Sequence, residues 1–115
     1  MLTIEKLKEF GANVDEGLER CLNNETFYLQ LVNRAVQDPA FEELGEALAQ
    51  KRCDDAFECA HKLKGVLANL ALTPLLTPVS ELTELLRNKS DGDYDGLYAR
   101  VTEEHAKLKA LIDNA

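Results

Sequence analysis

The sequence has little of what many protein classes require. Its 115 residues hold no Trp, one Met, three Pro, six Gly and three Cys. With so few chain breakers and no alternating β-branched run, a turn-rich sheet architecture is excluded. The abundance of Ala, Leu, Glu and Lys favours helix instead. Cys21, Cys53 and Cys59 form no CxxC pair. Their odd number in a chain without a secretory leader reads as buried thiols rather than disulfides. Positive charge is also scarce: 13 Lys and Arg face 21 Asp and Glu, a formal net charge of −8. That balance argues against a general nucleic-acid binder, whose affinity rests on many cation–phosphate contacts, and against an anionic membrane surface.

Other absences narrow the field. No stretch approaches the ~18 apolar residues that span a bilayer. The opening MLTIEKLKEF carries Glu5 and Glu9 and has no apolar core of a signal peptide. A cytoplasmic location is therefore expected. The Met1 start and the plain Asp113, Asn114, Ala115 end favour a free-standing protein over a fragment of a kinase. There is no Gly-rich phosphate loop, hence no means of binding ATP and no autonomous kinase activity. No Ser or Cys is set beside a base and an orienting group, as a hydrolase requires.

What is present is helical periodicity along the whole chain. A short helix is expected over 3–10, capped by Thr3 and ended by Gly11, with Ile4, Leu7 and Phe10 inward. A second, over 14–22, follows Asn13 and turns Val14, Leu18 and either Cys21 or Leu22 inward. A third, over 25–37, carries Phe27, Leu31, Val32, Ala35 and Val36. Asp38 and Pro39 read as cap and first residue of a helix over 39–51, with Phe41, Leu44, Ala47 and Leu48 on one face. The central helix opens at Asp54 or Asp55 and ends near Ala71 and Leu72. Thr73 and Pro74 form the next cap pair, and Pro78 either kinks that helix or marks its start at Thr77. Val79, Leu82, Leu85 and Leu86 continue it to a loop over 88–92. The last helix, 94–113, has Leu97, Val101, Leu108 and Leu111 as its stripe. The expected fold is all-α: one domain over 1–115, an antiparallel four-helix bundle with additional short N-terminal helices.

The central segment, 53–70, separates into two faces. At about 100° per residue, Ala56, Cys59, Ala60, Leu63, Val66, Leu67 and Leu70 gather opposite His61. On the His61 side lie Gly65, Ala68, Glu58, Asn69, Lys62, Lys64 and Phe57. A lone exposed histidine is most often a surface residue without a role. Lys64, at i+3, can reach an anion held by the ring. Gly65, at i+4, is unfavourable in a helix interior by about 1 kcal/mol relative to Ala. Either an approaching molecule or a closely packed neighbouring helix would account for it. Lys51, Arg52, Lys62 and Lys64 form a basic cluster that would suit an acidic or phosphorylated partner, or simply a mixed solvated face.

The segment Ala60, His61, Lys62, Leu63, Lys64, Gly65 resembles the signature of histidine-containing phosphotransfer (HPt) domains: His, any residue, Leu, Lys, Gly on a helix of a four-helix bundle. The stretch GANVDEGLERCLNNETFYLQLVNRAVQD over 11–38, residues 82–87 and the Asp-containing loop before the last helix fit the same family. The resemblance implies a phosphorelay intermediate. His61 would be the phosphoacceptor, its imidazole Nε2 taking a phosphoryl group from a receiver-domain aspartate and passing it to another receiver. Lys64 and, more weakly, Lys62 would stabilise the phosphate. Gly65, Ala68, Phe57, Glu58 and Asn69 would meet the partner. The implied partners are the receiver domains of a hybrid sensor histidine kinase and of a response regulator. The protein would be a monomer with no cofactor of its own, any Mg²⁺ belonging to the receiver. One position departs from the family pattern: many members have Gly ten residues after the histidine, and this chain has Ala71. With Pro74 and Pro78 that suggests a shifted turn at the helix exit. The alternative function is a phosphorylation-independent helical adaptor using the same face.

Three weaker signals remain. Asp91, Asp93 and Asp95 match the first half of a calcium loop, but its twelfth position is Thr102 rather than Glu, so the stretch reads as a turn and helix cap. His105 falls on the apolar stripe of the last helix and reads as a satisfied histidine at the core edge. Cys59 and His61 point about 160° apart and cannot share a zinc ion, so no metal site is expected.

Overall fold

The structure is a computed structural model that describes residues 2–113. Met1, Asn114 and Ala115, on which the free-standing reading leans, lie outside the described residues. Seven helices and no strand occur among those residues: α1 (Ile4–Phe10), α2 (Val14–Arg20), α3 (Glu25–Val36), α4 (Ala40–Ala49), α5 (Cys53–Asn69), α6 (Thr73–Arg87) and α7 (Tyr94–Asp113). Helix α5 packs against α4 on one side and α6 on the other, and α6 packs against α7. Helix α7 closes the bundle on α3 and α4. The short N-terminal helices sit at one end of this antiparallel bundle.

Local chemistry sets the boundaries. The Thr3 side chain accepts from the Lys6 N–H, Asn13 from Glu16 and Asn24 from Phe27, which caps α1, α2 and α3. Gly11 ends α1 at φ 105°, where a side chain would be strained. Asp38 Oδ1 accepts from the Ala40 N–H at 2.9 Å, so Asp38 does serve α4, while Pro39 stands just before the helix rather than within it. Asp93 Oδ1 accepts from the Gly96 N–H at 2.9 Å. The aspartate loop is thus the cap of α7.

Several expectations are corrected. Of the three thiols read as buried, only Cys21 is; Cys53, at the start of α5, is exposed and Cys59 half-buried. Helix α5 opens at Cys53, not Asp54 or Asp55, and closes at Asn69. Helix α6 follows Leu72, with Thr73 already helical, and it neither stops nor restarts at Thr77. Pro78 lies inside it, buried with Leu75, Val79 and Leu82 on the core face, which offsets the bond and the ring clash that an interior proline costs a helix. At Cys21 the chain leaves α2, so Cys21 is buried while Leu22, at φ 58°, is exposed. Phe27 also faces outward; Tyr28, one residue on, takes the core position at 0% exposure.

One contiguous core results. Leu7, Val32, Leu44, Leu63, Leu67, Leu72, Leu75, Val79, Leu82, Val101 and Leu108 are its fully enclosed side chains, with Tyr28 beside them. His105 lies at its edge as expected. Its Nε2 is 2.7 Å from the Val36 carbonyl and its ring stacks on Phe41 at 4.0 Å.

Candidate functional site

Helix α5 presents the two faces read from its periodicity. Ala56, Ala60, Leu63, Leu67 and Leu70 are buried, and Cys59 and Val66 are half-buried at the margins. His61, Lys62, Gly65, Glu58 and Asn69 are exposed; Phe57, Lys64 and Ala68 are half-buried, the first two beside α6. His61 therefore stands in solvent on a helix pinned by leucines beneath it.

The ring has one aromatic neighbour. Phe57, one turn earlier, stacks with it at a centroid separation of 5.6 Å and an interplanar angle of 19°. The other side of this arrangement belongs to α6, where the Arg87 guanidinium carbon lies 5.3 Å from the Phe57 centroid. Phe57 thus both flanks the histidine and packs against a neighbouring helix. Lys64 Nζ is 3.7 Å from Glu84 Oε1, and Arg87 Nε is 3.3 Å from Glu84 Oε2. Arg87 and Glu84 were not among the residues the motif pointed to. They lie on a different helix, and one sequence does not say which face of α6 abuts α5.

Gly65 settles its own question. A Cβ built there meets nothing within 4 Å. No neighbouring helix requires this glycine, so the space above it is open to whatever approaches His61.

The basic cluster expected from the sequence does not form one patch. Arg52 pairs with Asp55 at 2.8 Å, Lys62 with Asp38 at 3.4 Å on the α4 side, and Lys64 with Glu84 on the α6 side. With acids in excess, each of these three cations finds a carboxylate nearby. Lys62 and Lys64 consequently lean to opposite flanks of His61. Cys59, near the α4 side, is a poor nucleophile: burial first, then the Glu43, Asp55 and Glu58 carboxylates, push its thiol above the ordinary range against the opposing pull of Lys62. Among the described residues, no group of three or more His, Cys, Asp or Glu side chains is placed to hold a metal ion.

The far end of α5 is held by the N-terminal helices. Arg20 Nη1 donates to the Ala68 carbonyl at 3.0 Å and the Tyr28 hydroxyl to the Leu70 carbonyl at 2.8 Å. The Asn13 N–H donates to the Ala71 carbonyl at 2.9 Å. The Ala68 carbonyl, which also accepts from the Ala71 N–H at 3.1 Å, and those of Leu70 and Ala71 are thereby held at the helix exit. Ala71 itself takes the left-handed conformation at φ 55°, while the Leu72 N–H reaches back to the Leu67 carbonyl at 3.0 Å. With alanine where the family pattern has glycine, the residue itself adopts the left-handed conformation, and the three donors hold it there.

An all-α bundle that carries an exposed imidazole above a bare helical strip defines a narrow class of protein. The family model for the Hpt domain matches residues 34–114, well over half of the chain, and the protein belongs to that family. Membership brings a histidine phosphotransfer role in a phosphorelay and interaction with receiver domains; the module is not a kinase domain. No curated protein and no solved structure gave a significant match. Helices α1 and α2 and most of α3 precede the matched segment. Among the described residues, no helix is long and apolar enough to cross a membrane.

Proposed function

We propose that the chain acts as one HPt unit over 1–115, with His61 as the phosphoacceptor. The observation that carries this reading is the exposed His61 ring beside open space at Gly65, inside the segment that matches the family. The neutral imidazole Nε2 attacks the phosphorus of a receiver's aspartyl phosphate. The N–P bond forms as the acyl O–P bond breaks, the aspartate leaves as carboxylate, and the Nδ1 proton of the resulting imidazolium can pass to solvent. The reverse sequence, with a second receiver's aspartate as nucleophile, empties His61. Phosphoryl transfer of this kind depends on in-line positioning and charge neutralisation. Lys64 supplies positive charge on the α6 flank, and Lys62, drawn toward Asp38, a weaker field on the other. Phe57, Glu58, Gly65, Ala68 and Asn69 form the ground on which the receiver docks.

The donor in this proposal is the receiver of a hybrid sensor kinase and the acceptor that of a response regulator, both cytoplasmic. The protein works as a monomer that binds each in turn through a small, transient interface. Any Mg²⁺ is the receiver's.

The test is incubation with a receiver domain that carries labelled aspartyl phosphate. Wild type should acquire acid-labile, alkali-stable label and His61→Gln none. Equal labelling of the two proteins would contradict the assignment.

A further inference from the structure

The cations on the α6 flank of His61 are already paired. The two oxygens of Glu84 each hold one: Oε1 takes Lys64 at 3.7 Å and Oε2 takes Arg87 at 3.3 Å. Lys64 lies one turn beyond His61 on α5. Arg87 lies one ring away, over the Phe57 that stacks on the histidine. None of the three is buried; their side chains are 35%, 53% and 48% exposed for Lys64, Glu84 and Arg87. Ion pairs so exposed are weak and readily exchanged. Both cations sit on long flexible stems, and Arg presents a planar fork suited to phosphate oxygens. Lys62, by contrast, is drawn to the other flank by Asp38.

We propose that Glu84 is a placeholder anion, which keeps Lys64 and Arg87 beside His61 until a phosphoryl group displaces it, and that Arg87 is the second cation to bind that group. This rests on His61 being the phosphoacceptor. A phosphoryl group carries more charge than a carboxylate and three acceptor oxygens, so it wins the competition for both cations. The carboxylate nevertheless remains close by. It weakens the positive field at His61 and tilts the transfer equilibrium toward the receiver. Glu84 is therefore a positioning residue, acting through the two cations, and it sets how easily His61 gives up its phosphate.

The experiment measures how phosphate divides at equilibrium between this protein and one receiver domain, for wild type, Glu84→Gln, Glu84→Asp, Arg87→Ala and Arg87→Lys. At about 0.05 M salt, Glu84→Gln should raise the transfer equilibrium constant toward phosphorylated protein about threefold and Arg87→Ala lower it about threefold, the scale set by exposed ion pairs. Glu84→Asp and Arg87→Lys should fall between each variant and wild type. Both effects should fade toward unity near 1 M salt, where charges are screened within a few ångströms. A substitution that only impaired docking or packing would slow the approach to equilibrium and leave its position unchanged. An equilibrium constant that is the same in wild type, Glu84→Gln and Arg87→Ala, with His61 labelled in all, overturns the placeholder and leaves the phosphoacceptor standing. No label on wild type overturns the phosphoacceptor, and the placeholder with it.

Discussion

At the scale of single residues, two small side chains carry most of the argument. Gly65 has no neighbour within 4 Å of its missing Cβ, so Gly65→Ala should fit without strain. It should stabilise the fold by about 1 kcal/mol, the helix-propensity difference between the two residues. Gly65→Glu should leave the fold near intact yet slow uptake from a phosphorylated receiver by at least tenfold, through bulk and charge on the docking strip. Unchanged transfer kinetics in Gly65→Glu would show that no partner approaches there. Ala71 is the opposite case, a residue present where glycine would be easier. Its left-handed φ of 55° carries a penalty of about 1–2 kcal/mol for an L-residue. Its buried methyl recovers about 0.8 kcal/mol. Ala71→Gly should therefore raise stability by about 0.5 kcal/mol; a fall in the denaturation midpoint would mean that the methyl's packing outweighs the strain.

At the scale of elements, α5 is the part most legible in the sequence. Its wheel separated the face of Leu63, Leu67 and Leu70 from that of His61, and burial follows the same division. Leu63→Ala should destabilise the fold by about 2–5 kcal/mol, and an unchanged chemical denaturation midpoint would contradict that face assignment. What surrounds α5 was not legible in the same way. Arg87 over Phe57, Glu84 between two cations, and Arg20 and Tyr28 on the last carbonyls of α5 all join residues far apart in sequence. Helical periodicity says which side of a helix faces inward, not which neighbour it meets. Phe27 and Tyr28 show a finer limit: adjacent aromatics lie about 100° apart on a wheel, and only packing decided that Tyr28 goes inward.

The hydroxyl of Tyr28 gives that contact a pH signature. Burial, and then the nearby Cys21, push it up from 10.0 to about 12. Below pH 10 the tyrosine is protonated in both folded and unfolded chains, and its contribution is complete. Above pH 10 the unfolded chain releases the proton while the folded one keeps it, so stability falls until about pH 12. The loss across that window should be about 3 kcal/mol, at 1.36 kcal/mol per unit. Tyr28→Phe should remove that component of the alkaline slope. It should also lower stability at neutral pH by about 1–3 kcal/mol, because the Leu70 carbonyl loses its donor. An alkaline denaturation profile identical in the two proteins would refute the contact.

At the scale of the whole molecule, the bundle assigns different work to its two histidines. His105 is committed to the structure, bonded to the Val36 carbonyl and stacked on Phe41. His61 makes no comparable commitment beyond its stack on Phe57, and stands in solvent on the helix best anchored by its neighbours. The all-α class and the exposed histidine were readable from spacing alone. The resemblance to the family rested on the six-residue signature together with the stretch over 11–38, residues 82–87 and the loop before the last helix, and the match over 34–114 bears out the family. The chain has only these two imidazoles, so both can be followed in one ¹H–¹⁵N spectrum of the rings. The decisive measurement is that spectrum before and after addition of a phosphorylated receiver domain. The ring resonances of His61 should move to those of an N-phosphorylated imidazole while His105 stays in place, and His61→Gln should show no change. A phosphorylated His105, or two unmoved rings in the presence of a competent receiver, would contradict the account.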